Sequence, residues 1–234
     1  MDMRGTDISP WPYYNTFKEA EEMALIAKQP ESGEFEKEII PAGMHQGVCY
    51  SVIDLGTHIS QTYGNSQRKV LITWEFPEIR IEYEKDGEQV NLPRVISKEL
   101  TLSLHEKAGL RAMLETWRGK GFTPDELAGF DIFTVLGVNA LIQVIHNPSK
   151  KDANKIYANV SAVMPLMKGT EKLEPENPIQ KFSFQDNMAI PDGLPDFIIG
   201  KIYASKEYQE RDLPDNDFAS ETIPEDAYED DLPF

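Results

Sequence analysis

One cysteine, Cys49, is all that the 234 residues contain. A single thiol can build neither a disulfide framework nor a thiolate zinc site. Long apolar runs are missing too. No stretch nears the roughly 18 consecutive apolar residues of a membrane span, and the N-terminus has no apolar signal core. The expectation is a soluble, intracellular, cytoplasmic protein with no membrane partner. Histidine is scarce: His45, His58, His105 and His146 fall in separate elements, and His105-Glu106 lacks the second histidine of a zincin helix. Glycine-containing stretches such as GMHQG match neither a phosphate-binding loop nor a dinucleotide fingerprint. Carboxylate pairs abound only where the composition cannot hold acid–base geometry. No catalytic residue, metal or cofactor is expected, and the chain reads as a binding protein rather than an enzyme.

Positive charge is the other shortage, with 23 Lys and Arg against 40 Asp and Glu for a net charge of −17. Such a balance ordinarily argues against nucleic acid. Its distribution removes the objection. The 28 residues from Glu207 onward hold 11 acids and one Arg, net −10, whereas residues 36–170 hold 15 bases and 16 acids. The acid is segregated on a tail, and the centre is nearly neutral.

The centre is also where the periodicity lies. Thr16 to Glu19 reads as a capping box opening a short amphipathic helix that ends at Gln29-Pro30. Three strand patterns follow. AGMHQGVCYSVIDLG is the first, and RKVLITWEFPEIRIEY the second, with Val70, Ile72, Trp74 and Phe76 on one face and Pro77 marking a bulge or sheet edge. Asp86-Gly87 predicts a hairpin turn, and VISKELTLSL is the third strand. From His105 to Gly119 the period changes to a helix, and Thr123 with Pro124 caps a second short one. NALIQVIHN and IYANVSAVMPL return to strand. Three strands, a helical insertion, then two strands is the element order of the OB-fold, a five-stranded Greek-key barrel. The same order also fits other small α+β or barrel folds. The division expected is an N-terminal arm with a short helix at 1–38, an OB-fold domain at 39–168, a Pro-rich helical appendage at 169–206 and a disordered acidic tail at 207–234. In the appendage Leu194, Phe197, Ile198 and Ile202 are expected to pack on the barrel.

A binding surface is what remains to be read. Arg68 and Lys69 enter the second strand, Arg94 and Lys98 lie on the third, Arg118 and Lys120 follow the helix, and Lys150, Lys151 and Lys155 occupy the last hairpin loop. Tyr50, Tyr63, Trp74, Trp117 and Tyr157 are interleaved with them. Aromatic faces stack bases of any identity while Lys and Arg follow phosphates, which is what sequence-tolerant single-strand binding needs. Each residue also has a plainer reading. Trp74 and Trp117 lie on apolar stripes and favour the core. Tyr50 is balanced between core and platform. Tyr157 is the better platform, pointing away from Ile156 and Ala158 on a face shared with Asn159 and Ser161. Lysines in a loop are as often a solvated turn as a phosphate site, and Cys49 reads as a buried inert thiol.

Asp230-Asp231-Leu232-Pro233-Phe234 resembles the acidic tip of bacterial single-stranded DNA-binding proteins, which end in Asp-Asp-Ile-Pro-Phe. The central run from VIDLGT through LSLHEKAGLRAMLETWRGKGFTPDELAGFD to YANVSAVMPL resembles OB-fold single-stranded DNA-binding proteins of tailed phages, over most of residues 40–167. The resemblance implies a protein that coats single-stranded DNA in phage-type replication or recombination, in the bacterial host cytoplasm. It also implies that Asp230, Asp231, Leu232, Pro233 and Phe234 dock on replication, recombination and repair proteins. The long helical insertion and the Pro-rich appendage depart from the bacterial pattern, so oligomeric state stays open, a homodimer included. The rival reading is a protein-interaction adaptor whose OB-like barrel binds no DNA.

Overall fold

In the computed structural model, residues 39–60, 64–85, 87–149, 155–185 and 189–211 are described. Three long strands lead: β1 (Gly43–Ile59), β2 (Ser66–Lys85) and β3 (Glu88–Thr101). Two helices follow, α1 (Gly109–Arg118) and α2 (Pro124–Ala128), then a 3₁₀ turn (Ile132–Val135). The strands β4 (Asn139–Pro148) and β5 (Ile156–Met164) come next, and the chain continues through β6 (Gln180–Phe182), α3 (Asp196–Tyr203) and α4 (Lys206–Glu210). The five long strands form one antiparallel sheet in the order β3-β2-β1-β4-β5. It is a mainly β fold.

The sheet curls, and the register says why. On β1, Cys49 and Ser51 face the consecutive residues Trp74 and Thr73, and Asp54 and Gly56 face Val70 and Lys69. Tyr50 and Leu55 are therefore extra residues, each a bulge that bends its strand and increases its twist. A third irregularity falls between Phe76 and Arg80 on β2, where the Pro77 signal placed it. Another lies between Gln143 and Val144 on β4, opposite Ser161. The curl brings the two outer strands together: the Lys98 ammonium on β3 donates to the Val160 carbonyl on β5 at 2.9 Å.

Inside the curl lie Val70, Ile72, Trp74 and Phe76, the alternate face of β2 read from the sequence, with Val52, Ile142 and Val163. Leu110, Met113, Leu114 and Trp117 of α1 close the core. Trp74 and Trp117 sit at 5.7 Å between ring centroids, and the Trp117 indole donates to the Asn139 carbonyl at 3.1 Å. Helix α1 ends at Gly119, and α2 opens on the expected cap: Thr123 Oγ1 accepts from Glu126 N at 3.3 Å while Glu126 Oε2 accepts from Thr123 N at 2.9 Å.

A second core lies on the opposite face of the sheet. Ile53, Leu55 and Leu71 pack there against Phe182, Phe184, Leu194, Ile198 and Ile202. Of the four appendage residues expected to pack, Phe197 is the exception at 63% exposed. Between the two cores the 171–177 segment straps the outer face. Glu75 on β2, fully buried, accepts from Glu176 N at 2.7 Å, Asn177 N at 3.0 Å and Asn177 Nδ2 at 2.5 Å. The strand that alternates like a half-exposed one is thus covered on both sides.

Helix α4 spans residue 207, where the sequence division placed the start of the tail. Ser205 caps α4 by accepting from Tyr208 N at 3.2 Å, so described structure runs to Arg211. Glu207 closes on β1: its carboxylate accepts from Thr57 N and Thr57 Oγ1, both at 2.6 Å. Gly56 makes that approach possible. Its φ is +76°, and a Cβ there would stand 2.5 Å from Ser205 Cβ.

Candidate nucleic-acid interface

The strap and second core occupy the outer face of β1 and β2, which leaves the β4–β5 hairpin as open sheet surface. Tyr157, opposite Asn147 on β4, is 53% exposed, and Lys155 beside it is exposed. Asn159 donates from Nδ2 to the Tyr157 carbonyl at 3.0 Å, stiffening that strand. Ser149 N donates to the Lys155 carbonyl at 2.7 Å and closes the neck of the loop. Lys150 and Lys151 lie outside the described residues, as do Tyr63 and the terminal Asp230, Asp231, Leu232, Pro233 and Phe234.

The other cations are engaged by the protein to different degrees. Arg68 donates from Nε to Asp54 Oδ1 at 3.2 Å and from Nη2 to Asp54 Oδ2. Those bonds first, and the Asp54 charge second, raise its pKa further and hold it cationic. Arg118 donates to Glu126, and its guanidinium lies 4.4 Å from the Phe122 ring centroid and 5.2 Å from that of Phe130. The Thr123 amide and Arg118 together hold the Glu126 carboxyl below its ordinary range. Lys120 is 3.9 Å from the same carboxylate but 67% exposed. Lys69 donates to Gln67 Oε1 at 2.8 Å and Thr101 Oγ1 at 3.0 Å. Lys98 spans β3 and β5, and burial lowers its pKa. Arg94 is half-buried on β3. Tyr50 occupies the first bulge, half-buried, and burial followed by the nearby Glu75 charge pushes its phenol up. Trp74 and Trp117 are core residues, at 0% and 4% exposure. The predicted set is therefore dispersed: an open aromatic and a lysine at the β4–β5 hairpin, and cations elsewhere that hold elements together.

Two adjoining depressions, which the sequence reading missed, lie at the other end of the sheet. The first is a cleft of about 490 Å³ where the ends of β1 and β2 meet α1, the 3₁₀ turn and β6. Phe130, Phe133 and Phe182 line it, with Leu102 and Leu104, and Asp54, Arg68, Ser103, Asp131 and Ser183 supply its polar groups. The second, about 440 Å³, is lined by Lys69, Lys107, His105 and Glu99 and shares Ser103 with the first. Glu99 is met by Lys201 of α3 at 2.5 Å. No sequence period links these residues, because they come from strand ends and loops brought together by the curl.

Among the described residues no three His, Cys, Asp or Glu side chains cluster to hold a metal. Three histidines contact backbone carbonyls: His45 at Pro41, His58 at Leu55 and His146 at Ile40, each at 2.8 Å. Cys49 is fully buried, and burial pushes its thiol up to about 12. No described helix is long and apolar enough to cross a membrane. Comparison with protein-family models, with curated proteins and with solved structures found no match for this chain.

Proposed function

We propose that the protein is a non-enzymatic single-stranded DNA-binding protein built on an OB-like barrel, serving phage-type replication or recombination. The observation that carries this reading is the exposed Tyr157 beside Lys155 at the mouth of the β4–β5 loop, on a curled five-stranded sheet. OB-folds use that loop on nucleic acid, and an exposed ring at a basic loop is a stacking platform with its phosphate contacts supplied. The strand order β3-β2-β1-β4-β5, with Lys98 linking the outer strands, is compatible with the barrel: closure between β3 and β5 would give the circuit of a Greek-key OB barrel. The acidic segment 230–234 would recruit replication, recombination or repair enzymes, as its resemblance implies, with the Phe234 ring as anchor.

The adaptor reading keeps one observation in its favour. Arg68 and Arg118 are paired to protein carboxylates, which thins the cationic surface. Titration of labelled oligo-dT and of a matched duplex, each at two salt concentrations, separates the two readings. A DNA binder holds the single strand in preference to the duplex and loses affinity steeply with salt. Equal affinity for duplex, or no binding at low salt, leaves the adaptor.

A further inference from the structure

We propose that the aromatic cleft between the strand ends and the 3₁₀ turn receives one unstacked nucleobase of the bound strand, with the adjoining lysine-lined depression taking its phosphate. The proposal rests on the single-strand reading and adds to it a second contact point, away from Tyr157.

Size and lining set the ligand class. A volume of about 490 Å³ falls in the range of small-molecule sites, which are mostly apolar with a few convergent polar groups. Three phenylalanines give the lining its aromatic character, with the Arg118 guanidinium 5.2 Å from the Phe130 ring centroid and the Lys181 ammonium 5.9 Å from that of Phe133. Phe182 is 3% exposed, whereas Phe130 and Phe133 are only partly covered, so the rings form a pocket with an open side. Arg68 is the polar group that selects. Its Nε and one N–H of Nη2 are spent on Asp54, and Asp54 is itself fixed by accepting from Gly56 N at 3.0 Å. A guanidinium has five N–H donors, so an oriented edge remains, and its Nη1 has no partner among the described residues.

Charge decides between occupants. The first cleft carries Arg68 against Asp54 and Asp131, with the Lys181 ammonium 5.9 Å from the Phe133 ring, so it has no excess of positive charge to favour a carboxylate or a phosphate. That argues against the chain's own acidic tail as occupant and for a neutral ring. The second depression has the opposite character. Lys69 and Lys107 face it, and its one acid, Glu99, is already matched by Lys201. Ser103 borders both, so a nucleotide can lay its base in one and its phosphate in the other. Arg68 offers only donors to the base. Thymine and guanine present carbonyl oxygens and fit it, whereas adenine sets an amino donor beside its N7 acceptor and fits less well.

Free thymidine and deoxyadenosine, titrated into the full-length ¹⁵N-labelled protein, test the cleft without phosphate. Thymidine should shift the Phe133, Ser183 and Gln185 amides, deoxyadenosine should do so less, and Ser183→Phe, which fills the cleft, should abolish both. No thymidine shift up to its solubility limit overturns the proposal. On oligo-dT, Ser183→Phe and Phe133→Ala should each weaken binding about tenfold with the salt slope unchanged and the wild-type melting temperature nearly kept. Wild-type affinity in both folded variants overturns the proposal as well. Failure of the wild type to bind oligo-dT at low salt overturns the single-strand reading itself, and the thymidine titration alone then decides whether the cleft takes a base.

Discussion

At the scale of single residues, Tyr157 and Glu75 illustrate what a side chain's surroundings demand of it. Tyr157 is 53% exposed, so removing its ring should cost function rather than stability. Tyr157→Ala is expected to weaken oligo-dT binding by roughly 1–3 kcal/mol and to leave the melting curve in place. A lowered melting temperature with unchanged affinity would make that tyrosine structural. Glu75 is the reverse case. Its buried carboxylate satisfies three N–H donors of Glu176 and Asn177, and hydrogen bonds to a charged group are worth about 1.5–3 kcal/mol each. Glu75→Ala strands those donors under the strap and should destabilise the fold by about 3 kcal/mol or more in chemical denaturation, with DNA affinity per folded molecule unaltered. Retention of wild-type stability would mean that the strap contributes nothing at that point.

At the scale of elements, α4 behaves as a clasp on β1. Burial alone would raise the Glu207 pKa, but the bonds from the Thr57 hydroxyl and amide, with help from Arg68, outweigh it and the net direction is downward. A depressed carboxylate stabilises the fold above its unfolded pKa, about 4.3 for glutamate, and loses that contribution as pH falls through the folded value. Wild type should therefore melt above Glu207→Gln at neutral pH, and the gap should close as pH drops below about 4.3. A gap that keeps its full size however far the pH is lowered would mean the carboxylate charge is not what holds α4. Gly56→Ala, which both strains a positive φ and drives a Cβ into Ser205, should release the same clasp at every pH. None of this was legible in the sequence, where Glu207 counted only as the first acid of a tail. The strands, the α1 stripe and the Thr123 cap were legible because each is a local pattern: period two, period 3.6, and a Thr three residues before a Glu. The second core was legible in part: Leu194, Ile198 and Ile202 were expected to pack, whereas Phe182 and Phe184 sit among prolines and loops without a period. The Asp54–Arg68 pair escaped notice for a related reason: it depends on the β1–β2 register, and the Leu55 bulge shifts that register by one. Arg68 and Arg118 read from the sequence as cations alone, because the carboxylates that pair with them, Asp54 and Glu126, come from other elements.

At the scale of the molecule, the charge map makes a prediction that separates field from contact. Residues 212–234 carry nine acids and no base, on a chain whose described part includes exposed Lys120 and Lys155. Twenty-three residues extend to at most about 80 Å, so on the single-strand reading those acids would compete with phosphates for the same cations. Truncation after Arg211 should tighten oligo-dT binding, most at low salt, where the screening length is long. The cut belongs after Arg211, because a shorter form would also delete α4 and free the strand end that Glu207 holds. Phe234→Ala is the matched control: it removes a ring, keeps all nine acids, and should leave the affinity of the full-length protein for DNA within error at both salts. Its effect should surface only in capture of a partner enzyme from the host, if the 230–234 segment docks as its resemblance implies. Equal oligo-dT affinity for truncated and full-length protein at low salt would show that the acids do not reach the cationic surface, and the tail would then act on partners alone.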